Sequence, residues 1–347
     1  MDVKIAWLTV NRNCNLFCDW CYAKEFLEKD SKMDYELSTK LIDMALTAGI
    51  KKIYLIGGEP TIHPRLFDIL RYIKSYNVEI VIVTNGILLA DLEFCEKIKS
   101  LNYEHLHFGI SLKGSSEQEY LENCGQEAFR NVLTGIRNCE AYGFRYSLSY
   151  VLTTDNIEHI DTFSEKIREY NINKPIAFAL CNAMITQDGE AIINVQHPLK
   201  IERVFAEKYT AVSRSLDDKF ALHQIFPLCQ CSQELMDTMV EKNQLYTSCH
   251  IHARSGVVFD VDGSLLLCNH LAGFSFGQFG KDFWDFDSFC SYWNSEYVTN
   301  LHRKFTTMPS EECQNCEVSS KCGGGCCVQW FSNNFTSYKE YQHITKH

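Results

Sequence analysis

Asn11-Arg12-Asn13-Cys14-Asn15-Leu16-Phe17-Cys18-Asp19-Trp20-Cys21-Tyr22 decides how this chain is read. Three cysteines stand within eight residues, spaced C-x3-C-x2-C, directly behind an extended apolar run from Val3 to Val10. Thiolates bind soft metals and iron–sulfur clusters, and three from one loop hold three irons of a 4Fe–4S cube. The fourth iron is then open to a substrate or cofactor. A zinc loop is the competing reading, since C-x2-C is frequent in zinc sites. Zinc ordinarily asks for a second pair close by, whereas the next cysteine here is Cys95.

The rest of the composition narrows the class. The chain has 347 residues, 46% of them hydrophobic, enough for one large domain or two modest ones. A formal charge of −11, with no basic stripe, argues against a nucleic-acid surface. No apolar run reaches the length of a membrane helix, and the N-terminus has no charged-then-apolar export signal. Seventeen cysteines would suggest disulfides in a secreted chain, but the number is odd and the spacings are cluster-like. A reducing, anaerobic cytoplasm is the expected setting.

Behind the cysteine loop, strand-like and helix-like runs alternate. Strands are expected at Val3–Val10, Lys52–Ile56, Val78–Thr84, His105–Leu112, Phe144–Leu152 and Pro175–Leu180. Helices are expected at Tyr35–Thr47, Leu66–Ser75, Leu92–Lys99, Gln126–Tyr142 and Ile157–Tyr170. Such units imply an α/β fold of parallel strands with right-handed crossovers, either an open sheet or a barrel. Chemistry in these folds collects at the carboxyl ends of the strands. Gly57-Gly58-Glu59-Pro60, Thr84-Asn85-Gly86 and Ser111-Leu112-Lys113-Gly114 all fall there. Paired glycines let backbone approach a ligand, and the Glu59 carboxylate beside them can receive an ammonium group; a plain tight turn is the bland alternative. Further on, Leu199–Ser213 and Gln233–Glu241 read as helices, with Cys229 and Cys231 between them.

The C-terminal third holds a second cysteine field. Asp262-Gly263 between Val257–Val261 and Ser264–Cys268 is a hairpin signal that lets Cys249 and Cys268 converge. Cys313-x2-Cys316-x5-Cys322-x3-Cys326 follows, with Gly323-Gly324-Gly325 inside it and Cys327 after it. A zinc ribbon is the competing reading of this part too.

The loop of Cys14, Cys18 and Cys21, with an aromatic residue before the last, resembles the signature of radical S-adenosylmethionine (SAM) enzymes. That resemblance implies SAM chelating the open iron and one electron cleaving it to methionine and a 5′-deoxyadenosyl radical. It puts Trp20 against the adenine, with Tyr22 grouped beside it as cofactor-binding. It also puts Gly57, Gly58, Glu59 and Pro60 at the SAM amino group, Asn85 near the cofactor, and Ser111 and Lys113 at its ribose and carboxylate. Relatives carry an arginine for that carboxylate; between Gly114 and Phe129 there is none, leaving Lys113 or Arg130 as stand-ins. The resemblance selects a partial (β/α)6 TIM-type barrel over 1–185, a bridging helical segment over 186–242, and a small cysteine-rich α+β domain with a β-hairpin over 243–347. This last part resembles the SPASM extension, which implies Cys249, Cys268 and Cys326 on one auxiliary 4Fe–4S cluster and Cys313, Cys316 and Cys322 on a second. The family's last cysteine has no counterpart beyond Cys327. The second cluster then has an open iron, takes a ligand such as Cys327 or a histidine, or is degenerate, and Cys229 or Cys231 is the candidate fourth ligand for the first. Cys95, Cys124, Cys139, Cys181 and Cys290 read as small buried hydrophobes.

SPASM enzymes mostly modify peptides or proteins, by crosslinking, thioether formation, epimerisation or oxidation. The leading expectation is therefore an oxidoreductase acting on a ribosomally made peptide, served by a flavodoxin- or ferredoxin-type electron donor. The first strand starts at Val3, leaving no room ahead of it for a leader-recognition domain, so a separate leader-binding protein is an expected partner. Sulfatase-maturing members carry an aspartate base after the cysteine matching Cys268; here Asn269 stands there, with Asp260, Asp262 or His270 as substitutes. A small-molecule dehydrogenase is the enzymatic alternative. A zinc-binding scaffold without the chemistry is the alternative outside enzymes.

Overall fold

β-Branched and aliphatic runs buried on both faces are what parallel strands covered by helices require. A computed structural model describes residues 3–326, apart from 29, 182–183, 186–190, 193–197, 224–227, 229–230, 247–248, 273, 307–312, 314 and 323. In it the six expected strands form as β1 (Ile5–Asn11), β2 (Lys52–Gly57), β3 (Glu79–Thr84), β4 (Leu106–Leu112), β5 (Arg145–Leu152) and β6 (Ile176–Leu180). They pair in parallel in that order. Helices α1 (Tyr35–Thr47), α2 (Leu66–Lys74) and α3 (Leu92–Ser100) follow the first three strands and cover their outer face. Leu8, Leu55, Ile82, Phe108 and Phe178 lie fully buried beneath the helices.

The expected helix Gln126–Tyr142 forms from Phe129 onward, and a second helix that the sequence reading did not include precedes it. Helix α4 (Glu117–Cys124) is capped by the Ser116 hydroxyl, which accepts from the Glu119 N–H at 3.2 Å, and it stops at Gly125, whose φ of 70° is left-handed. Helix α5 runs from Phe129 to Tyr142. Glycine reaches that left-handed region without the Cβ clash other residues meet, which is why the break falls there. Similarly, Ile157–Tyr170 resolves into a 3₁₀ turn, Asn156–His159, and helix α6 (Ile160–Glu169). A two-residue pair, β7 (Met184–Ile185) with β8 (Ala191–Ile192), stands apart from the main sheet.

Beyond α7 (Pro198–Leu216), two unforeseen strands, β9 (Phe220–His223) and β10 (Leu245–Tyr246), extend the sheet past β6, with α8 (Gln233–Glu241) between them. The expected hairpin forms from β11 (Gly256–Phe259) and β12 (Ser264–Leu266). Its turn is closed by the Asp262 carboxylate, which accepts from the Ser264 N–H at 2.9 Å, and by Gly263 at φ 81°. Strand β13 (Ser275–Gln278) and helices α9 (Phe286–Trp293) and α10 (Glu296–Thr306) follow.

The hairpin does not stand alone: β11 pairs in parallel with β1, Ile5 opposite Gly256 and Leu8 opposite Phe259. Among the described residues one sheet of eleven strands, ordered β10-β9-β6-β5-β4-β3-β2-β1-β11-β12-β13, therefore carries the first cysteine loop at the end of β1 and Cys268 at the end of β12. It does not close on itself, so the barrel is partial. No helix among the described residues is long and apolar enough to cross a membrane.

The ends of β1 and β11 are riveted by a buried ion pair. The Arg12 guanidinium, 4% exposed, donates to the carboxylate of Asp260, 8% exposed, which also accepts from the Val261 N–H at 2.7 Å. Both carboxylate oxygens of Asp260 are thereby engaged, which counts against it as the substitute base named above. Removing one partner of such a pair strands the other charge. Asp260→Ala is expected to lower stability by about 3–5 kcal/mol, read as a lower urea midpoint at unchanged slope. An Arg12→Met/Asp260→Leu double variant should recover much of that loss.

Candidate active site: two cysteine fields on one sheet

The cysteine loop leaves β1 and is gripped on three sides. From β2, the Gly58 N–H donates to the Asn11 carbonyl at 2.9 Å and the Glu59 N–H to the Asn13 carbonyl at 2.8 Å. From β3, the Asn85 side-chain amide donates to the Asn15 side-chain oxygen at 2.7 Å. From α4, the carbonyls of Cys124 and Asn123 accept from the N–H groups of Phe17 and Asp19 at 3.1 and 3.0 Å. A Cβ on Gly58 would lie 2.1 Å from the Asn13 carbonyl oxygen, so only glycine permits this approach.

Cys14, Cys18 and Cys21 are close enough to feel one another's charge. Burial pushes the Cys14 thiol up to about 12 and raises Cys21. Cys18 goes the other way: a hydrogen bond with the Cys124 thiol at 3.5 Å draws it down to about 6 against burial, with the Lys113 ammonium assisting. Lys113 Nζ also donates to the Ser111 hydroxyl at 2.6 Å, so the two residues expected at the SAM carboxylate and ribose stand together beside the loop. Arg130 does not reach the site. Its side chain is 87% exposed and faces Glu117 at 3.6 Å on the outer surface.

Glu59 departs from its expected use. It is 1% exposed, and four donors saturate its carboxylate: the Thr61 N–H and hydroxyl at 3.0 and 2.6 Å, the Thr84 hydroxyl at 2.7 Å and the Asn85 N–H at 2.7 Å. Burial pushes its pKa upward while those donors pull the other way. The carboxylate binds β2 to β3 rather than facing a ligand, and Pro60 opens the turn that begins there. Trp20 is half-buried in the loop, its carbonyl 3.9 Å from the Cys181 thiol at the end of β6.

Tyr22 turns from the first cysteine field to the second. Its hydroxyl bonds to the Asn269 side chain, its ring centroid lies 4.4 Å from that of His270, and burial pushes its pKa up to about 12. Cys268, at the end of the hairpin, shares its neighbourhood with Cys249 and Cys326, and burial raises its thiol. His270 Nδ1 is 3.4 Å from the Cys268 sulfur, and burial drops that imidazole to about 4. In the other group Cys322 senses Cys313 and accepts from the Leu228 N–H at 3.4 Å, while Cys316 is exposed. Cys231 packs against the small apolar group of Leu228, Met236 and Cys322. Cys229 and Cys327 lie outside the described residues. Among the described residues no three His, Cys, Asp or Glu side chains converge tightly enough for a single metal ion. The thiolates of a cube each bind a different iron and need no such convergence.

The donor set fits a 4Fe–4S cube with SAM on its open iron. Three thiols come from one clamped loop beside a cation. Asn11 Oδ1, in a residue 2% exposed, has no hydrogen-bond partner among the described residues and lies 3.0 Å from where a Gly57 Cβ would stand, leaving a buried acceptor beside the glycine pair. Sequence reading missed Arg12, Asn15 and Cys124. Only for Cys124 was there a signal, its place at a helix end marked by Ser116-x-x-Glu119 and Gly125.

Comparison with known proteins agrees with this geometry. Residues 8–167 match the radical SAM superfamily and form a radical SAM domain, which uses a 4Fe–4S cluster and SAM. Fe-coproporphyrin III synthase of Methanosarcina barkeri is 29% identical over 224 residues, 63% of this chain. The chain spans about half of that relative's length, 52%. The fold also matches Streptococcus suis SuiB bound to precursor peptide SuiA, with a TM-score of 0.71 at 16% identity, over 97% of this chain and 74% of that one. It matches native anSMEcpe with bound AdoMet and Cp18Cys peptide as well, with a TM-score of 0.68 at 17% identity, over 99% and 97%.

Because a Gly58 side chain would collide with backbone and not with a movable side chain, Gly58→Ala should displace the loop without unfolding the sheet. Anaerobically reconstituted Gly58→Ala is expected to hold about four fewer irons per chain than the parent, at unchanged circular dichroism.

Proposed function

We propose that this chain is a radical SAM oxidoreductase that modifies a ribosomally made peptide or protein by abstracting a hydrogen atom. In this reading Cys14, Cys18 and Cys21 hold the SAM-binding cube, while Cys249, Cys268 and Cys326, with Cys313, Cys316 and Cys322, hold auxiliary clusters. When bound, the cube and SAM supply a 5′-deoxyadenosyl radical that takes hydrogen from the substrate. Gly57 and Gly58 would present backbone to the SAM amino group, Asn11 Oδ1 would accept a hydrogen bond from it, and Lys113 with Ser111 would receive the carboxylate end. Arg12, held by Asp260, and Tyr22, held by Asn269, lock the two cysteine fields at a set separation. A substrate carbon between them would lose its hydrogen on one side and its remaining electron on the other.

The observation that carries the peptide reading is this junction. Cys21 and Cys268 are joined here through adjacent residues, Tyr22 and Asn269, and the fold that carries them is similar over nearly the whole chain to two structures with a peptide bound. Asn269 has no proton-accepting carboxylate, which counts against sulfatase maturation. An external flavodoxin or ferredoxin would supply electrons, and a separate protein would present the leader. One observation favours a second reading, a small-molecule substrate: the coproporphyrin-synthase relative is closer in sequence, at 29% identity, than either peptide-bound structure.

Counting 5′-deoxyadenosine released by the reconstituted, reduced protein separates the two. Peptides encoded beside the chain are expected to raise it well above background and to gain a mass change, with Cys18→Ala releasing none. Release raised by tetrapyrroles and by no such peptide would overturn the peptide reading.

A further inference from the structure

Cys124 belongs to none of the cysteine sets above. It is fully buried at the C-terminal end of α4, and its sulfur lies 3.5 Å from that of Cys18. The contact is imposed by backbone. The residues on either side of Cys18, Phe17 and Asp19, donate their N–H groups to the carbonyls of Cys124 and Asn123 at 3.1 and 3.0 Å. Two amide clamps one residue to each side leave Cys18 little freedom to move away. The Asn123 side chain in turn donates to the Lys113 carbonyl at 2.8 Å, so α4 is tied to the end of β4 as well.

Iron binds thiolate, so a ligating Cys18 has no proton. Of the two sulfurs, only Cys124 then has hydrogen to donate. We propose that Cys124 is a positioning and tuning residue whose S–H donates to the ligating sulfur of Cys18, making the SAM-binding cube easier to reduce. Hydrogen bonds to cluster sulfurs favour the more negative, reduced state and so raise the reduction potential. The need is local: α4 ends beside the cube and presents the negative pole of its dipole to charged sulfur. The inference rests on Cys18 being a cluster ligand, as proposed above.

The test is an EPR-monitored potentiometric titration of the reconstituted protein, following the signal that changes when SAM is added. Cys124→Val, close in volume but without a donor, should shift that midpoint to more negative potential, lowering the reduced fraction several-fold at fixed potential. Cys124→Ser, which keeps a donor, should recover part of the shift. A wild-type midpoint in Cys124→Val at full iron content would overturn the proposal. Should Cys124→Val fail to hold the cube, retention of iron by Cys124→Ser supports the donor, and loss from both assigns Cys124 to packing alone and also overturns it. Cys18→Ala keeps the readings apart: if it retains the SAM-responsive signal, the ligand assignment itself has failed.

Discussion

One buried carboxylate organises the working end of this sheet. Glu59 gathers donors from its own turn and from the end of β3, and the Asn85 whose N–H it receives reaches on to Asn15 in the cysteine loop. A carboxylate taken from water must find partners or lose its charge. Satisfying it therefore draws the ends of β2 and β3 together beneath the loop. The glycine pair before it then lies against the Asn11–Asn13 backbone, where no side chain could fit. Cysteine placement is a consequence of this packing rather than a property of a floppy loop waiting for metal.

The second organising contact reaches across the chain. Arg12 meets Asp260, 248 residues later, so the radical SAM domain and the second cysteine field are braced at one strand junction. Tyr22 and Asn269 repeat the connection one layer nearer the cysteines. Cys14, Cys18 and Cys21 follow β1 and Cys268 follows β12, with β11 between those two strands in one sheet.

Much of this was legible from local pattern. The six strands, the three-cysteine loop and the Asp262-Gly263 hairpin each carry their signal within a dozen residues. What was not legible depends on partners distant in sequence. The parallel pairing of β11 with β1 leaves no local trace, because parallel neighbours are not joined by a turn. Glu59 read as a ligand group because its Thr84 and Asn85 donors come from another strand. Cys124 read as a buried hydrophobe because its neighbour Cys18 is 106 residues away. Helix α4 is the exception: its cap and its terminal glycine were both present, but its weakly apolar sequence hid it from a search for periodicity.

The central claim is that both cysteine fields hold iron–sulfur clusters on one braced sheet. Iron, sulfide and zinc counted per chain after anaerobic reconstitution test it most directly. About twelve irons with matching sulfide, the content of three cubes, are expected. About four irons with zinc bound would contradict it, leaving the SAM-binding cube alone and the second field a structural zinc site.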